Sequence, residues 1–230
     1  HGGRRMRSGG RAANAARRSG ELFKQMPWRL PVNYDQPTEP LDEQGVVAIH
    51  GGAMQILEET GIEFLNEEAQ ALLREAGCLV DGTNVKMDRE WVMEMIPKAP
   101  DEFTITSRNP DRELVIGGKH ILFGNVSSPP NYYDVDLGQK MPGTREQCAN
   151  LIKLSQYFNC IHFVGGYPVE PVDIHASVRH LDVLHDKLVL TDKVAHAYSL
   201  GKERVEDAME MVKVAGGLSE EEFSTKPHMF

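Results

Sequence analysis

The spacing of apolar residues changes along the chain. Between residues 46 and 96, apolar side chains recur every three or four positions, a spacing that predicts three amphipathic helices. The second helix should end before Gly77, which suits the left-handed position past a helix end. "CLVDGTNVKM" then has the pattern of a short hairpin that turns at Asp81–Gly82. Asp88 is a suitable cap for the third helix. Residues 42–100 are therefore predicted to be mainly helical.

A repeated pattern of strand and helix begins at residue 120. A predicted strand at 120–123 is followed by a helix opening at Thr144, and a strand at 160–164 by a helix across 174–184. A third strand, at 187–190, precedes a helix that ends at Gly216–Gly217. This βαβαβα order predicts a parallel sheet with right-handed crossovers.

Two α/β architectures fit the repeated pattern, a doubly wound sheet and a (β/α)8 barrel. A dinucleotide-binding doubly wound sheet needs GxGxxG after its first strand, and "GNVSSP" does not match. Each strand here ends in a conspicuous loop, as in barrels, where the carboxyl ends of the strands build the site. The predicted fold is therefore a (β/α)8 TIM barrel, partial in this chain and preceded by a helical N-terminal region. A complete barrel needs roughly 200–250 residues, so a longer protein is expected.

Three domains are predicted from these patterns. Residues 1–41 form a basic leader and a Pro-rich extended linker, residues 42–119 a helical preface with short strands, and residues 120–230 the first βα units of the barrel. The leader contains six arginines within its first eighteen residues. It resembles a transit peptide or a nucleic-acid-binding arm in composition, but lacks a clear amphipathic period, and a disordered or partner-wrapping tail is the preferred interpretation.

Charge and composition exclude several classes of protein. A net charge of -9 argues against nucleic acid as the main partner, because phosphate binding requires a basic surface. No stretch approaches the ~20 apolar residues of a membrane span, so no membrane partner is expected. The three cysteines show no CxxC spacing, which favours buried thiols in a cytoplasmic protein. No metal-binding motif is present, and no metal is predicted.

The loops after the three predicted strands share aromatic residues. Tyr132 and Tyr133 follow the first strand, Tyr167 follows the second and Tyr198 lies beyond the third, while Phe123 belongs to the first strand itself. If the strand ends converge, these rings can line a common rim. Tyrosine faces attract alkylated ammonium groups by ~0.5–2 kcal/mol each. The alternative is that they are ordinary packing aromatics.

Polar candidates accompany the aromatic residues. Pro129–Pro130 limits the freedom of the first loop, so that the tyrosines after it are held in place. Asn125 offers a donor and an acceptor at the strand end, or caps the loop. His196 follows the third predicted strand and is either a proton donor or a structural histidine. Asn125 and His196 are the predicted catalytic residues; Tyr132, Tyr133, Tyr167 and Phe123 are the predicted substrate-binding residues.

Three long motifs give the chain a family resemblance. They are "AIHGGAMQILEETGIEFLNEEAQALLREAGCLVDG", "KAPDEFTITSRNPDRELVIGG" and "FGNVSSPPNYYD". Together they resemble the N-terminal half of the trimethylamine methyltransferase (MttB-like) family, from about Arg11 to Phe223. The resemblance implies a TIM barrel that moves a methyl group from a methylated amine to the cobalt of a corrinoid protein. The corrinoid is then carried by that partner, and no cofactor is bound directly. A homo-oligomer is also expected.

The resemblance leaves the substrate open. Some family members carry pyrrolysine and act on trimethylamine, whereas others lack it and use quaternary amines such as glycine betaine. The pyrrolysine position falls in the C-terminal half, outside this sequence. Two alternatives to a methyltransferase remain, a non-catalytic barrel that binds methylated amines and an assembly subunit.

Overall fold

The computed structural model describes residues 24–228 and divides them into two compact units. The smaller unit comprises residues 34–102; the larger comprises residues 103–228 together with the described residues that precede 34. The three predicted domains have different boundaries, and they stay a prediction. The basic leader, residues 1–23, lies outside the described residues.

In the smaller unit, polar side chains begin the helices. Asp42 precedes α1 (Glu43–Gln55), Asn66 precedes α2 (Glu67–Glu75) and Asp88 precedes α3 (Arg89–Met95), and each accepts a hydrogen bond from a backbone N–H of the first turn. The three predicted helices are therefore confirmed. A π-helical turn (Ile56–Thr60) extends α1, and a 3-10 turn (Ile96–Lys98) extends α3.

A small antiparallel sheet completes this unit. Its strands are β1 (Ile62–Glu63), β2 (Leu79–Asp81) and β3 (Asn84–Lys86), in the order β1-β3-β2. Strands β2 and β3 form the predicted hairpin, in register Val80 to Val85. Gly82 has φ +57 at the turn, a conformation that favours glycine.

The larger unit combines strand pairs with helices. Strand β4 (Glu102–Ile105) pairs with β5 (Leu114–Gly117) across a 3-10 turn (Pro110–Arg112). Strands β6 (Asn131–Asp134) and β7 (Gln139–Pro142) form an antiparallel hairpin within a segment that is predicted to be a loop. The remaining elements alternate in type: α4 (Arg145–Tyr157), β8 (Phe163–Val164), α5 (Arg179–Leu190), β9 (Val194–Ala195), α6 (Lys202–Gly216) and α7 (Glu220–Thr225).

Three short segments that alternate with these helices pair with one another in parallel. Strand β8 pairs in parallel with β9, with Phe163 opposite Val194, and Gly124 forms a parallel bridge with Phe163. Helix α4 lies in the connection between the first and second segments, α5 connects the second and third, and α6 follows the third. The predicted α/β class is therefore confirmed, with a parallel arrangement of the repeated units.

The positions of the predicted strands need correction. Residues 187–190 form the last turn of helix α5 instead of a strand, and the third strand is Val194–Ala195. At 120–123 the chain forms no ladder; it makes isolated bridges through His120 and Gly124. The second strand is confirmed only at Phe163–Val164. The apolar run at the end of α5 has no periodicity of its own that separates a helix from a strand.

Helices α4 and α5 pack on the parallel segments through a buried apolar cluster. Its members are Cys148, Ile152, Val164, Tyr167, Val169 and Val183. Ile152 and Val164 are fully buried, and burial of such a side chain stabilises the fold by about 1.5–3 kcal/mol. This cluster fixes the carboxyl end of β8, and therefore the loop after it.

Residues 24–33 form a strap across the larger unit. Val32 makes an antiparallel bridge with His120, and the Pro31 carbonyl accepts from the Ile121 N–H at 2.9 Å. Trp28 lies under the guanidinium of Arg112, 5.0 Å from the ring centroid. This part of the sequence, predicted to be an extended linker, therefore packs on the parallel segments.

Candidate functional site

The loops that follow the three parallel segments lie close together. The backbone N–H of Ser128 donates to the Tyr167 carbonyl at 2.6 Å, and that of Glu170 donates to the Pro129 carbonyl at 2.9 Å. The His196 N–H donates to the Val164 carbonyl at 3.0 Å. These bonds join the first loop to the second, and the start of the third loop to the end of β8. We call residues 125–130, 165–170 and 196–198 the rim loops.

Two backbone features let the first and second rim loops approach each other. A side-chain carbon at Gly166 would clash with the Ser127 hydroxyl, so only glycine fits there without movement. Ser128 has φ +57, a left-handed conformation that is uncommon for a residue other than glycine. Such backbone strain is often found at functional sites.

Asn125 connects the first two rim loops through its side chain. Its Oδ1 accepts from the Gly165 N–H at 2.9 Å, and its Nδ2 donates to the Val126 carbonyl at 2.6 Å. Both ends of the amide are therefore used by the backbone. This arrangement holds the loops together and corresponds to the loop-capping role considered from the sequence.

Tyr167 and Tyr198 form a stacked pair between the second and third rim loops. Their ring centroids are 4.4 Å apart and their planes differ by 8°. Tyr167 is only 4% exposed, and burial, followed by the neighbouring Tyr198, raises the pKa of Tyr167 to about 12. The phenol of Tyr167 is therefore neutral at physiological pH.

The two tyrosines of β6 have different surroundings. Tyr132 is partly buried and packs against the same apolar cluster as Tyr198, whereas Tyr133 is 64% exposed. Successive side chains of a strand point to opposite faces, which accounts for the difference. The structure thus brings Tyr132, Tyr167 and Tyr198 to one cluster and leaves Tyr133 towards solvent.

Phe123 has different neighbours from the tyrosines. It is 52% exposed, its ring lies 5.9 Å from that of His162, and it lines a cavity of about 350 Å³ together with Pro31 and Cys160. Cys160 is exposed, contrary to the expectation of a buried thiol, whereas Cys78 and Cys148 are buried. A role for Phe123 in substrate binding stays a prediction.

His196 lies beside a buried lysine that the sequence did not single out. Lys187 is 2% exposed, and its Nζ donates to the His196 carbonyl at 2.9 Å. Burial lowers the pKa of Lys187 to about 7, and burial together with the Lys187 charge lowers the pKa of His196 below its ordinary value. The His196 ring is therefore mainly neutral at pH 7. The sequence pattern does not reveal Lys187, because it predicts a strand over residues 187–190, which form the end of helix α5.

A second cavity, of about 360 Å³, lies near the end of α5. Arg108, Lys187 and Lys193 line it, and none of the tyrosines of the rim loops does. Each of these three cations donates to backbone carbonyls. This cavity is therefore distinct from the tyrosine cluster, and its basic side chains stabilise the fold through these hydrogen bonds.

Neither a membrane-spanning helix nor a metal-binding cluster occurs among residues 24–228. No helix there is long and apolar enough to cross a membrane. Within the same range, no three His, Cys, Asp or Glu side chains form a group that could hold a metal ion.

Comparison with known proteins relates the chain to enzymes that act on methylated amines. The family model described as trimethylamine methyltransferase (MTTB) matches residues 7–230. A glycine betaine methyltransferase of Desulfitobacterium hafniense is 38% identical over 177 residues, which cover 77% of this chain and 37% of the relative. A trimethylamine methyltransferase MttB of the same species is 27% identical over 77% of this chain and 35% of its own length.

A third relative is named for its methyl acceptor as well as its substrate. The proline betaine:corrinoid methyltransferase of Eubacterium limosum is 34% identical over 56% of this chain and 26% of its own length. The chain thus spans little more than a third of the length of the relatives that it matches.

Proposed function

Because the chain belongs to the trimethylamine methyltransferase family, we propose that it is part of an enzyme that transfers a methyl group from a methylated amine to a corrinoid protein. The meeting of the rim loops at the ends of three parallel segments, with Tyr132 and Tyr167 in one cluster, is the observation that supports this most directly. The name of the proline betaine relative supports the choice of a corrinoid acceptor. The corrinoid cobalt would supply the nucleophile, on a separate protein.

We further propose that the parallel segments are the first three strands of a (β/α)8 barrel. The alternation of α4, α5 and α6 with these segments supports the barrel, since parallel strands joined by helices are its repeating unit. The remaining units would lie in sequence beyond residue 230, and the relatives are long enough to contain them. A cytoplasmic homo-oligomer stays part of the proposal.

The chemistry favours a quaternary amine as the substrate. In a displacement at a methyl carbon, a quaternary ammonium leaves as a neutral amine. Unprotonated trimethylamine would have to leave as an amide anion, so it must first be protonated or attached to an electrophile. An enzyme without a special electrophile can therefore act on betaines by positioning the methyl group alone. The 38% identity to a glycine betaine methyltransferase supports the same class of substrate.

We assign the predicted site residues to roles that fit their surroundings. Tyr132 contributes a ring to an aromatic cage that orients the cation, Tyr167 supports this cage from within the buried cluster, and Asn125 holds the first and second rim loops in place. His196, with its mainly neutral ring, contacts the polar tail of the substrate. Tyr133 and Phe123 complete the cage only if the rest of the protein or the corrinoid partner covers their exposed rings.

The decisive experiment uses the full-length protein with its reduced corrinoid partner. Glycine betaine, proline betaine and trimethylamine are each added, and methyl-cobalt absorbance is followed. We expect methylation of the corrinoid with at least one quaternary amine. If no amine yields methyl-cobalt while methyl iodide still methylates the same corrinoid, the enzyme proposal is wrong. Amine binding in that case would indicate a binding module, and its absence an assembly subunit.

A matched pair of variants tests the cage. Tyr132→Leu removes a partly buried ring, and Tyr133→Leu removes its exposed neighbour. Cation–π attraction weakens as positive charge leaves the amine, so it stabilises the bound substrate more than the transition state. We therefore expect Tyr132→Leu to raise KM several-fold with a smaller change in kcat. A larger effect of Tyr133→Leu would exchange the roles of the two residues.

A further inference from the structure

Tyr198 is the outer member of the stacked pair. Tyr167 is almost fully buried, whereas Tyr198 is partly exposed. One face of the Tyr198 ring lies parallel to Tyr167 at 4.4 Å. The exposed surface of Tyr198 therefore does not include the ring face that lies against Tyr167.

The same geometry limits what Tyr167 can contact. Tyr198 covers one face of its ring, and Tyr167 is only 4% exposed and belongs to the buried apolar cluster that includes Cys148, Ile152 and Val164. A cation that reached the face of Tyr167 would have to displace Tyr198. Tyr167 therefore lies behind the binding surface.

The stack also restricts the position of Tyr198. Offset or parallel aromatic pairs are stabilised by about 0.5–1.5 kcal/mol beyond the area that they bury. Tyr167 is itself held at both ends: its carbonyl accepts from the Ser128 N–H, and its ring is enclosed by the cluster. A side chain on the third rim loop is thus oriented by a residue of the second.

We propose that Tyr198 supplies the ring face that contacts the ammonium group of the substrate, and that Tyr167 is a positioning residue that holds this ring. Tyr132, which packs on the same cluster, provides the second ring of the site. The proposal deepens the proposed function and rests on it. It commits the site to a positively charged ammonium group, because a ring face selects positive charge more than shape.

A pair of ligands separates charge from shape. Glycine betaine and 3,3-dimethylbutyrate have the same outline and the same carboxylate, but carbon replaces the ammonium nitrogen in the second. Calorimetry on the full-length protein measures the affinity for each. In the wild type, we expect the betaine to bind more tightly than 3,3-dimethylbutyrate, whose tert-butyl group carries no charge.

Variants of Tyr198 then locate the ring responsible. Tyr198→Phe keeps the ring and should change the betaine affinity by less than about threefold, whereas Tyr198→Leu should reduce it about tenfold. The affinity for 3,3-dimethylbutyrate should change little in either variant. If Tyr198→Leu weakens both ligands equally, or weakens neither, the proposal is wrong.

Two further measurements test whether a loss of binding has another cause. The thermal midpoint shows whether the Tyr198→Leu protein folds. If it does not, Tyr198→Met, which fills the space with a flexible apolar side chain, is measured in its place. Tyr167→Phe keeps the stacked ring and should retain the selectivity for the betaine. Failure of this inference differs from failure of the proposed function, because binding is measured without a corrinoid. A protein that selects betaine through Tyr198 but never methylates cobalt would contradict only the proposed function.

Discussion

Two backbone groups hold the imidazole of His162 from opposite sides. Its Nδ1 accepts from the Phe123 N–H at 2.9 Å, and its Nε2 donates to the Arg29 carbonyl at 3.0 Å. The ring is 1% exposed. Burial lowers the pKa of His162 below 6.5. A proton on Nδ1 would also break the first bond.

This lowered pKa predicts a loss of stability in acid. The unfolded chain binds the proton near pH 6.5 and the folded chain only at lower pH, so the contribution of His162 is complete above 6.5 and is lost as the pH falls below it. His162→Gln removes the titration. The difference in the free energy of unfolding between the wild type and this variant should shrink from pH 7.5 to pH 5, as measured by urea denaturation. A difference that stays constant across this pH range would contradict the prediction.

A second residue-scale prediction concerns close backbone contact. A methyl group at Gly143 would clash with the Glu170 carbonyl and lie 2.7 Å from Val169 Cγ2, neither of which can rotate away freely. We expect Gly143→Ala to destabilise the protein by about 1–3 kcal/mol. Gly52→Ala, in helix α1 with open space around it, should instead stabilise it by about 0.5–1 kcal/mol. Chemical denaturation measures both, and equal effects would show that packing at Gly143 is unimportant.

Long basic side chains close the ends of two helices in the larger unit. Lys193 donates to the carbonyls of Ser155 and Phe158 at the end of α4. Arg108 donates in the same way to the carbonyls of Leu188 and Thr191 at the end of α5. The last carbonyls of a helix have no partner within it. Cations at this end also interact favourably with the negative end of the helix dipole.

The removal of one such cation should loosen one helix end. Lys193→Met removes the donor from the Ser155 carbonyl, whereas the Phe158 carbonyl keeps its bond from the Ile161 N–H, and we expect a loss of about 1–3 kcal/mol. Amide hydrogen exchange should increase in the last turn of α4. Lys153→Met, on the exposed side of the same helix, should change stability by less than about 0.5 kcal/mol. Unchanged exchange at the end of α4 would mean that water replaces the lysine without cost.

Helices were easier to predict from this sequence than strands. Thr144 begins α4 as expected, because a cap depends on a side chain and the backbone three residues later. The run at 187–190 fits a buried strand and the end of a helix equally well, and the buried bond from Lys187 to His196 that accompanies the helix is not visible in sequence. Strand β9, with two residues, is too short to show alternation.

The candidate site was predictable in part for the same reason. The order of strand ends placed Tyr132 and Tyr167 in neighbouring loops, and they do pack on one cluster. The stack of Tyr167 on Tyr198 depends on loop conformations that long-range backbone bonds determine, such as that from Ser128 to Tyr167. No local pattern encodes those bonds.

At the scale of the whole molecule, charge is divided unequally between the two units. Residues 34–102 contain 16 acidic and 4 basic side chains, whereas the described residues of the larger unit contain 17 and 15. Excess like charge destabilises a folded unit through self-repulsion. Salt shortens the Debye length from about 10 Å at 0.1 M to about 3 Å at 1 M.

Salt should therefore stabilise the smaller unit more than the larger one. Hydrogen exchange measured across a series of potassium chloride concentrations reports the two units separately. We expect protection in α2 and β2–β3 to rise with salt more than protection in α4 and α5. Potassium chloride is chosen because sulfate would strengthen burial in both units alike. Equal responses would show that the acidic residues do not repel one another appreciably.

The strap around Trp28 has an optical consequence. The chain contains two tryptophans, Trp28 in the larger unit and Trp91 in helix α3 of the smaller one. Replacement of either by phenylalanine leaves a single indole whose fluorescence belongs to one unit. Emission from Trp28, between the Arg112 guanidinium and the His162 ring, would report release of the strap. The order in which the two units lose their structure can then be timed in one stopped-flow experiment.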